Sequence, residues 1–82
     1  MNRVIIVFAS VAKWGAAHGV PYVRTLAATE YLRQIATIRP ERYADTQVIG
    51  DVFCRARFSR ELLKRSEISA YVTAAKRISR SD

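Results

Sequence analysis

Cysteine and histidine are almost absent from this sequence. Its 82 residues include one cysteine, Cys54, and one histidine, His18. A lone cysteine excludes an intramolecular disulfide, and the two residues together cannot supply the four ligands of a structural zinc site. We therefore expect no metal and no cofactor. An unpaired cysteine is also typical of a reducing compartment, which predicts an intracellular, cytoplasmic protein.

Long apolar runs and backbone-breaking residues are also scarce. The longest apolar stretch, from Val4 to Ala12, ends at Lys13, whereas a membrane-spanning helix needs about 20 apolar residues. We expect no transmembrane span. The stretch could form the core of a secretory signal, but its removal would discard much of the apolar content, so we expect it to be retained. With three glycines and two prolines, few points interrupt the chain, which favours long elements.

Positive charge is the most informative feature that is present. Lys and Arg total 14 against 7 Asp and Glu, a net charge of +7, and such a chain attracts polyanions. Most of the cations are arginines, which can hold phosphates through two parallel hydrogen bonds. By contrast, the carboxylates are scattered, and Cys54 and His18 lie far apart in the sequence with nothing local to pair them as nucleophile and base. We expect a protein that is not an enzyme.

The apolar periodicity predicts an all-α fold, a small bundle of about four helices in a single domain over residues 1–82. The first helix runs from Val4 to His18, with a short strand at Val4 to Phe8 as the alternative. Gly19-Val20-Pro21 predicts a stop and a restart, and the second helix ends near Arg39, before Pro40. The third helix begins between Pro40 and Thr46. The fourth spans roughly Glu61 to Ile78, and its inner stripe consists of Ile68, Tyr71, Val72, Ala75 and Ile78.

A cluster of cations is the clearest candidate site. It consists of Arg55, Arg57, Arg60, Lys64 and Arg65, offset only by Glu61. If one helix continued through Ser59, Arg57, Arg60 and Lys64 would share one side and could follow phosphates; a bend at Ser59 would change this grouping. A helix-turn-helix does not fit, because Arg55 and Arg60 occupy positions where its second helix needs apolar anchors.

Two functions are consistent with these observations. The first is non-catalytic binding of nucleic acid, DNA or RNA, through the 55–65 cation cluster. The alternative is a structural subunit of a larger complex, in which the apolar first helix contacts a protein partner or a second copy of the chain. The interface residues of that alternative are Val4, Ile5, Phe8, Val11 and Trp14. Peripheral membrane binding through the same N-terminal segment is a third possibility.

Overall fold

The structure is a computed structural model that describes residues 3–23, 25–58 and 62–80. These described residues form four α-helices, α1 (Arg3–Ala17), α2 (Ala28–Ile38), α3 (Tyr43–Phe58) and α4 (Arg65–Ser79), with a 3₁₀ turn at Pro40–Arg42 before α3. These described ranges contain no β-strand. The predicted small all-α bundle is confirmed, and the alternative strand at Val4 to Phe8 is wrong.

The inner face of α1 follows the predicted spacing. Val4, Phe8, Val11 and Trp14 recur every three or four residues, and all four side chains are buried. This spacing places them on one stripe of the helix, which is the face an amphipathic helix turns toward a core. Helix α1 therefore belongs to the hydrophobic core of the chain itself.

The connection between α1 and α2 differs from the predicted restart at Pro21, which is wrong. Gly19 adopts a left-handed φ of 84° and ends α1 as expected for glycine, but α2 begins only at Ala28. The backbone N–H of Val20 donates to the carbonyl of Gly15 at 2.7 Å, and the Val20 side chain is buried. These contacts hold the chain against α1 in a non-helical conformation.

Helix α4 also begins later than predicted. Helix α3 ends at Phe58, residues 62–64 are not helical, and α4 starts at Arg65, so the predicted helix from Glu61 is wrong in its start. The Glu67 carboxylate accepts the backbone N–H of Lys64 at 2.9 Å, which caps the first turn and fixes where the helix starts. Ser59, Arg60 and Glu61 lie outside the described residues.

Helices α3 and α4 run antiparallel. Arg55 near the end of α3 pairs with Glu67 near the start of α4, and Asp45 in the first turn of α3 pairs with Arg77 in the last turn of α4 at 3.2 Å. The two pairs connect opposite ends of the helices. The side of α4 that carries Arg65, Ser69, Thr73 and Lys76 is exposed to solvent.

Two buried tyrosines join elements that are distant in sequence. The Tyr71 hydroxyl of α4 donates to the carbonyl of Val4 in α1 at 2.7 Å, and the Tyr31 hydroxyl of α2 donates to the carbonyl of Val20 at 2.7 Å. Burial raises the pKa of both phenols, so both remain protonated donors at neutral pH. Residues of all four helices contribute to this one core.

Candidate nucleic-acid interface

The structure divides the predicted cation cluster among three environments. Arg55 is half-buried and its guanidinium contacts the carboxylates of Glu67 and, at 3.6 Å, Asp51. The hydrogen bond that Arg55 donates to the Glu67 carboxylate raises the pKa of Arg55. The Lys64 backbone N–H and then the Arg55 guanidinium lower the pKa of Glu67. Because two carboxylates neutralise Arg55, its role in this arrangement is to join α3 to α4.

Arg57 lies against an aromatic ring. Its guanidinium carbon is 5.6 Å from the centroid of Phe53, a distance at which a cation is attracted to the π face. The side chain also lines an apolar groove between α1 and α3. Arg57 is therefore part of the wall of this groove.

Lys64 and Arg65, the remaining described members of the cluster, lie at the start of α4 and both are exposed. Arg60 lies outside the described residues. Arg57, Arg60 and Lys64 were expected to share one side only if one helix continued through Ser59. This condition is not met, because α3 ends at Phe58 and residues 62–64 are not helical.

A larger basic surface extends from Arg65 along the outside of α4. We call it the α4 outer face, and it consists of the exposed residues Arg65, Ser66, Ser69, Ala70, Thr73, Lys76, Arg77 and Arg80. At 3.6 residues per turn, its members within the helix project into an arc of about 140°. Four of these eight described residues are cationic, three carry hydroxyl groups and none is acidic. Such a combination suits contact with phosphate oxygens.

A buried carboxylate holds one of these cations in place. Asp45 is buried and accepts a hydrogen bond from Arg77 at 3.2 Å, while Arg42 approaches the other carboxylate oxygen at 3.8 Å. The Arg77 side chain nevertheless remains 60% exposed. Arg77 is thus oriented by the protein and still accessible from solvent.

The sequence contained a signal for the α4 outer face that a search for consecutive charges does not use. Lys76, Arg77 and Arg80 are separated from Arg65 by ten or more residues, so they do not form a local run with it. The signal is the set of residues on the side of the helix opposite the predicted inner stripe, which consists of Ile68, Tyr71, Val72, Ala75 and Ile78. When these residues face the core, the cations and hydroxyls fall together on the opposite side.

The five proposed interface residues are also divided. Val4, Phe8, Val11 and Trp14 are covered by the chain's own helices, and Ile5 is 48% exposed. In the described arrangement, Ile5 is therefore the member of this set that a partner could contact directly. The neighbouring Ile6 is 53% exposed and adds to this apolar surface.

His18 and Cys54 have separate surroundings. The His18 ring stacks on Trp14 with centroids 4.1 Å apart, and its Nδ1 lies 2.8 Å from the Trp14 carbonyl oxygen. The Arg39 guanidinium also lies over the Trp14 ring, 5.5 Å from its centroid. Cys54 instead lines a groove between α2 and α3 together with Asp51. These contacts account for His18 as a packed residue at a helix end.

Within residues 3–23, 25–58 and 62–80, no helix combines the length and apolar character needed to cross a bilayer. Comparison of the chain with protein-family models, with curated proteins and with solved structures finds no match.

Proposed function

We propose that this chain is a non-catalytic nucleic-acid-binding protein and that the α4 outer face, continued by Lys64, contacts the phosphates. The observation that carries the proposal is the composition of that face, which combines four cations with three hydroxyls and no carboxylate. Phosphate contacts from Arg and Lys provide essentially all of the affinity in non-specific nucleic-acid binding, and Ser and Thr side chains also bond to phosphate oxygens.

The pairing of cations elsewhere supports this choice of surface. Arg33 pairs with Glu30 at 3.0 Å, and Arg55 contacts two carboxylates. An incoming phosphate would have to compete with these internal anions. Among the described ion pairs, the carboxylate that contacts the α4 outer face is Asp45 of α3, which pairs with Arg77 at one edge of the face. The excess positive charge of the face therefore remains available to bind phosphate.

The orientation of Glu67 also supports the α4 outer face as the phosphate-binding surface. It lies in the first turn of α4, but it is half-buried and engaged by Arg55 and the Lys64 N–H. Its negative charge is thereby held away from the outer face. A carboxylate among the cations would repel phosphate, and the fold avoids this repulsion.

A pair of matched double variants tests the proposal. Lys76→Ala with Arg80→Ala removes one lysine and one arginine from the α4 outer face, and Lys13→Ala with Arg3→Ala removes the same types from the exposed surface of α1. Both variants carry a net charge of +5 instead of +7. Binding to a labelled mixed-sequence DNA duplex is measured by fluorescence anisotropy between 50 and 200 mM salt, with duplex and single-stranded RNA in parallel.

We expect the α4 variant to bind more weakly and to lower the salt slope by about 0.9 for each phosphate that it no longer neutralises. The α1 variant should stay close to the parent, because the change in net charge acts only through long-range attraction, which salt screens. Equal losses in the two variants would assign binding to net charge and contradict a defined face. Absence of binding to any nucleic acid at 50 mM salt would contradict the proposed function altogether.

A groove between α1 and α3 favours the second candidate function, that of a subunit in a protein complex. The groove has a volume of about 440 Å³, and Arg57 lies at its edge. Its apolar lining residues are Ile5, Phe8, Ala9, Ala12, Tyr22 and Phe53. An apolar groove of this kind can hold one face of a partner helix.

Charge indicates which partner would suit the groove. Arg57 and the net charge of +7 favour an acidic segment, whereas a second copy of the same basic chain would be repelled. A photo-crosslinking amino acid at position 9, in the groove, should then capture an acidic protein in the native host. The same group at Ser10, which is exposed on another side of α1, should not. Equal capture at both positions, or a homodimer by light scattering, would contradict this partner.

A further inference from the structure

Resting on the proposed nucleic-acid function, we infer that α4 enters the major groove of B-form duplex DNA and that its outer face spans the groove. The ligand class is double-stranded DNA. The inference depends on how large and small side chains are distributed along the face, a feature that phosphate binding alone does not require.

The middle of the α4 outer face is narrow. Ser66, Ser69, Ala70 and Thr73 are all short side chains and all exposed. An α-helix with its side chains is about 10–12 Å across, and the major groove of B-form DNA is about 12 Å wide. A helix with short residues at its centre can therefore approach the base edges, whereas long residues there would hold it away from the groove.

The cations lie at the two ends of the same face. Lys64 and Arg65 flank the N-terminal end, and Lys76 and Arg80 lie at the C-terminal end. From a rise of 1.5 Å per residue, Arg65 and Lys76 are about 16 Å apart along the axis. Long cationic side chains at this separation can reach the phosphates on the two sides of a major groove while the short residues lie between them.

The hydroxyl and methyl groups in the middle suit contact with base edges. The hydroxyls of Ser69 and Thr73 can donate or accept hydrogen bonds, and the methyl groups of Ala70 and Thr73 can contact the methyl group of thymine. The capacity for sequence preference therefore lies with these three residues. The cations at the ends fix the position of the helix.

Other polyanions fit this face less well. The major groove of A-form RNA is deep and narrow, so a helix cannot enter it. Single strands are usually held by bases stacked on aromatic rings, and none of the eight described residues of the face is aromatic. Its largest purely apolar side chain is Ala70, which offers little for insertion into a membrane surface.

The decisive test is a bulky, uncharged substitution at the centre of the face. Ala70→Phe keeps every cation, and Ala16→Phe places the same ring at an exposed alanine of α1. We expect Ala70→Phe to weaken binding to a 20-base-pair DNA duplex roughly tenfold or more, the range expected when base contacts in the groove can no longer form. Ala16→Phe should bind as the parent does. Circular dichroism of both variants confirms that the helices remain.

A second measurement needs no variant. At saturating protein, the parent should protect guanine N7, which lies in the major groove, from methylation by dimethyl sulfate. Protection of adenine N3 in the minor groove without protection of N7 would overturn the inference. Unchanged duplex binding by Ala70→Phe, or parent binding to duplex RNA or single strands as tight as to duplex DNA, would overturn it while leaving nucleic-acid binding intact. If the parent binds no nucleic acid at 50 mM salt, the proposed function fails with it.

Discussion

Helices α1 and α4 have the same length, 15 residues, but their outer surfaces differ in chemical character. Both place one face in the common core, where Tyr71 of α4 donates a hydrogen bond to the Val4 carbonyl of α1. On the outside, α1 exposes Ile5, Ile6 and small residues together with two cations, whereas α4 exposes cations and hydroxyls. The inner faces are alike in apolar character, and the outer faces differ.

This difference shows why net charge is a poor guide to a binding surface. The chain as a whole carries +7, yet some of its arginines serve internal pairs, as Arg55 does with Glu67. What distinguishes the α4 outer face is that its cations collect on one side of a helix without acidic residues between them. We expect the inner faces to supply the stability of the fold, so that substitutions on the outer faces leave it nearly unchanged.

The largest effect should come from the inner face of α1. Phe8 packs against the rings of Phe53 and Tyr22, with centroids at 4.4 and 5.7 Å. We expect Phe8→Ala to lower the free energy of unfolding by about 3–5 kcal/mol, because it leaves a cavity in the core. Ile6→Ala on the outer face should change it by less than about 0.5 kcal/mol. Urea denaturation followed by circular dichroism measures both, and similar losses would show that α1 is not packed as described.

Two helical glycines should respond in opposite directions to the same substitution. A methyl group on Gly15 would overlap the Tyr31 hydroxyl and lie 2.7 Å from the Val20 carbonyl oxygen, so Gly15→Ala should cost about 1–3 kcal/mol. On Gly50 the nearest atom is 3.4 Å away, on Leu32, which is ordinary contact. Gly50→Ala should therefore stabilise α3 by about 0.5–1 kcal/mol. Thermal denaturation separates the two, and a loss in both would contradict the geometry at Gly50.

The hydrogen bond between α1 and α4 gives a smaller effect. Tyr71→Phe keeps the buried ring and removes the donor to Val4, so we expect a loss of about 1 kcal/mol. For a domain of this size, that loss lowers the melting temperature by about 4–8 °C. Tyr43 is 61% exposed, and Tyr43→Phe should leave the melting temperature nearly unchanged. An equal shift in both variants would mean that the Tyr71 hydroxyl does not join the helices.

The sequence was sufficient to predict the number of helices and their inner stripes. Helical spacing placed Phe8 and Trp14 on one face of α1 and Tyr71 and Ile78 on one face of α4, and all four are buried. The starts of α2 and α4 were predicted wrongly because they depend on tertiary contacts that the local turn signals do not encode. Val20 is buried and bonded to Gly15 and Tyr31, and Glu67 sets the first turn of α4.

Less of the candidate site than of the fold could be predicted from the sequence. A local run of charge identified Arg65 and Lys64, but it could not show that Arg55 is paired with Glu67 across two helices. It also omitted Lys76 and Arg80, because residues on one face of a helix are not consecutive. Their grouping becomes visible once the boundary and orientation of α4 are known.

Glu67→Gln should give the smallest change in stability, and its dependence on pH identifies the cause. Glutamine keeps an acceptor for the Lys64 N–H but removes the charge that Arg55 contacts, and solvent around this junction screens the charge. The matched control is Glu30→Gln, whose partner Arg33 is largely exposed. Melting temperatures of the parent and both variants are compared from pH 7 to pH 3.

The sign of the pH effect follows from the lowered pKa of Glu67 in the folded chain. A carboxylate whose folded pKa lies below its unfolded value, about 4.3, stabilises the fold fully above that value. This contribution is lost as the pH falls through the folded pKa. The melting temperature of the parent should therefore exceed that of Glu67→Gln most at neutral pH, and the gap should close below about pH 4. A constant gap down to pH 3 would mean that hydrogen-bond geometry at Lys64, and not the charge of Glu67, holds the start of α4 against α3.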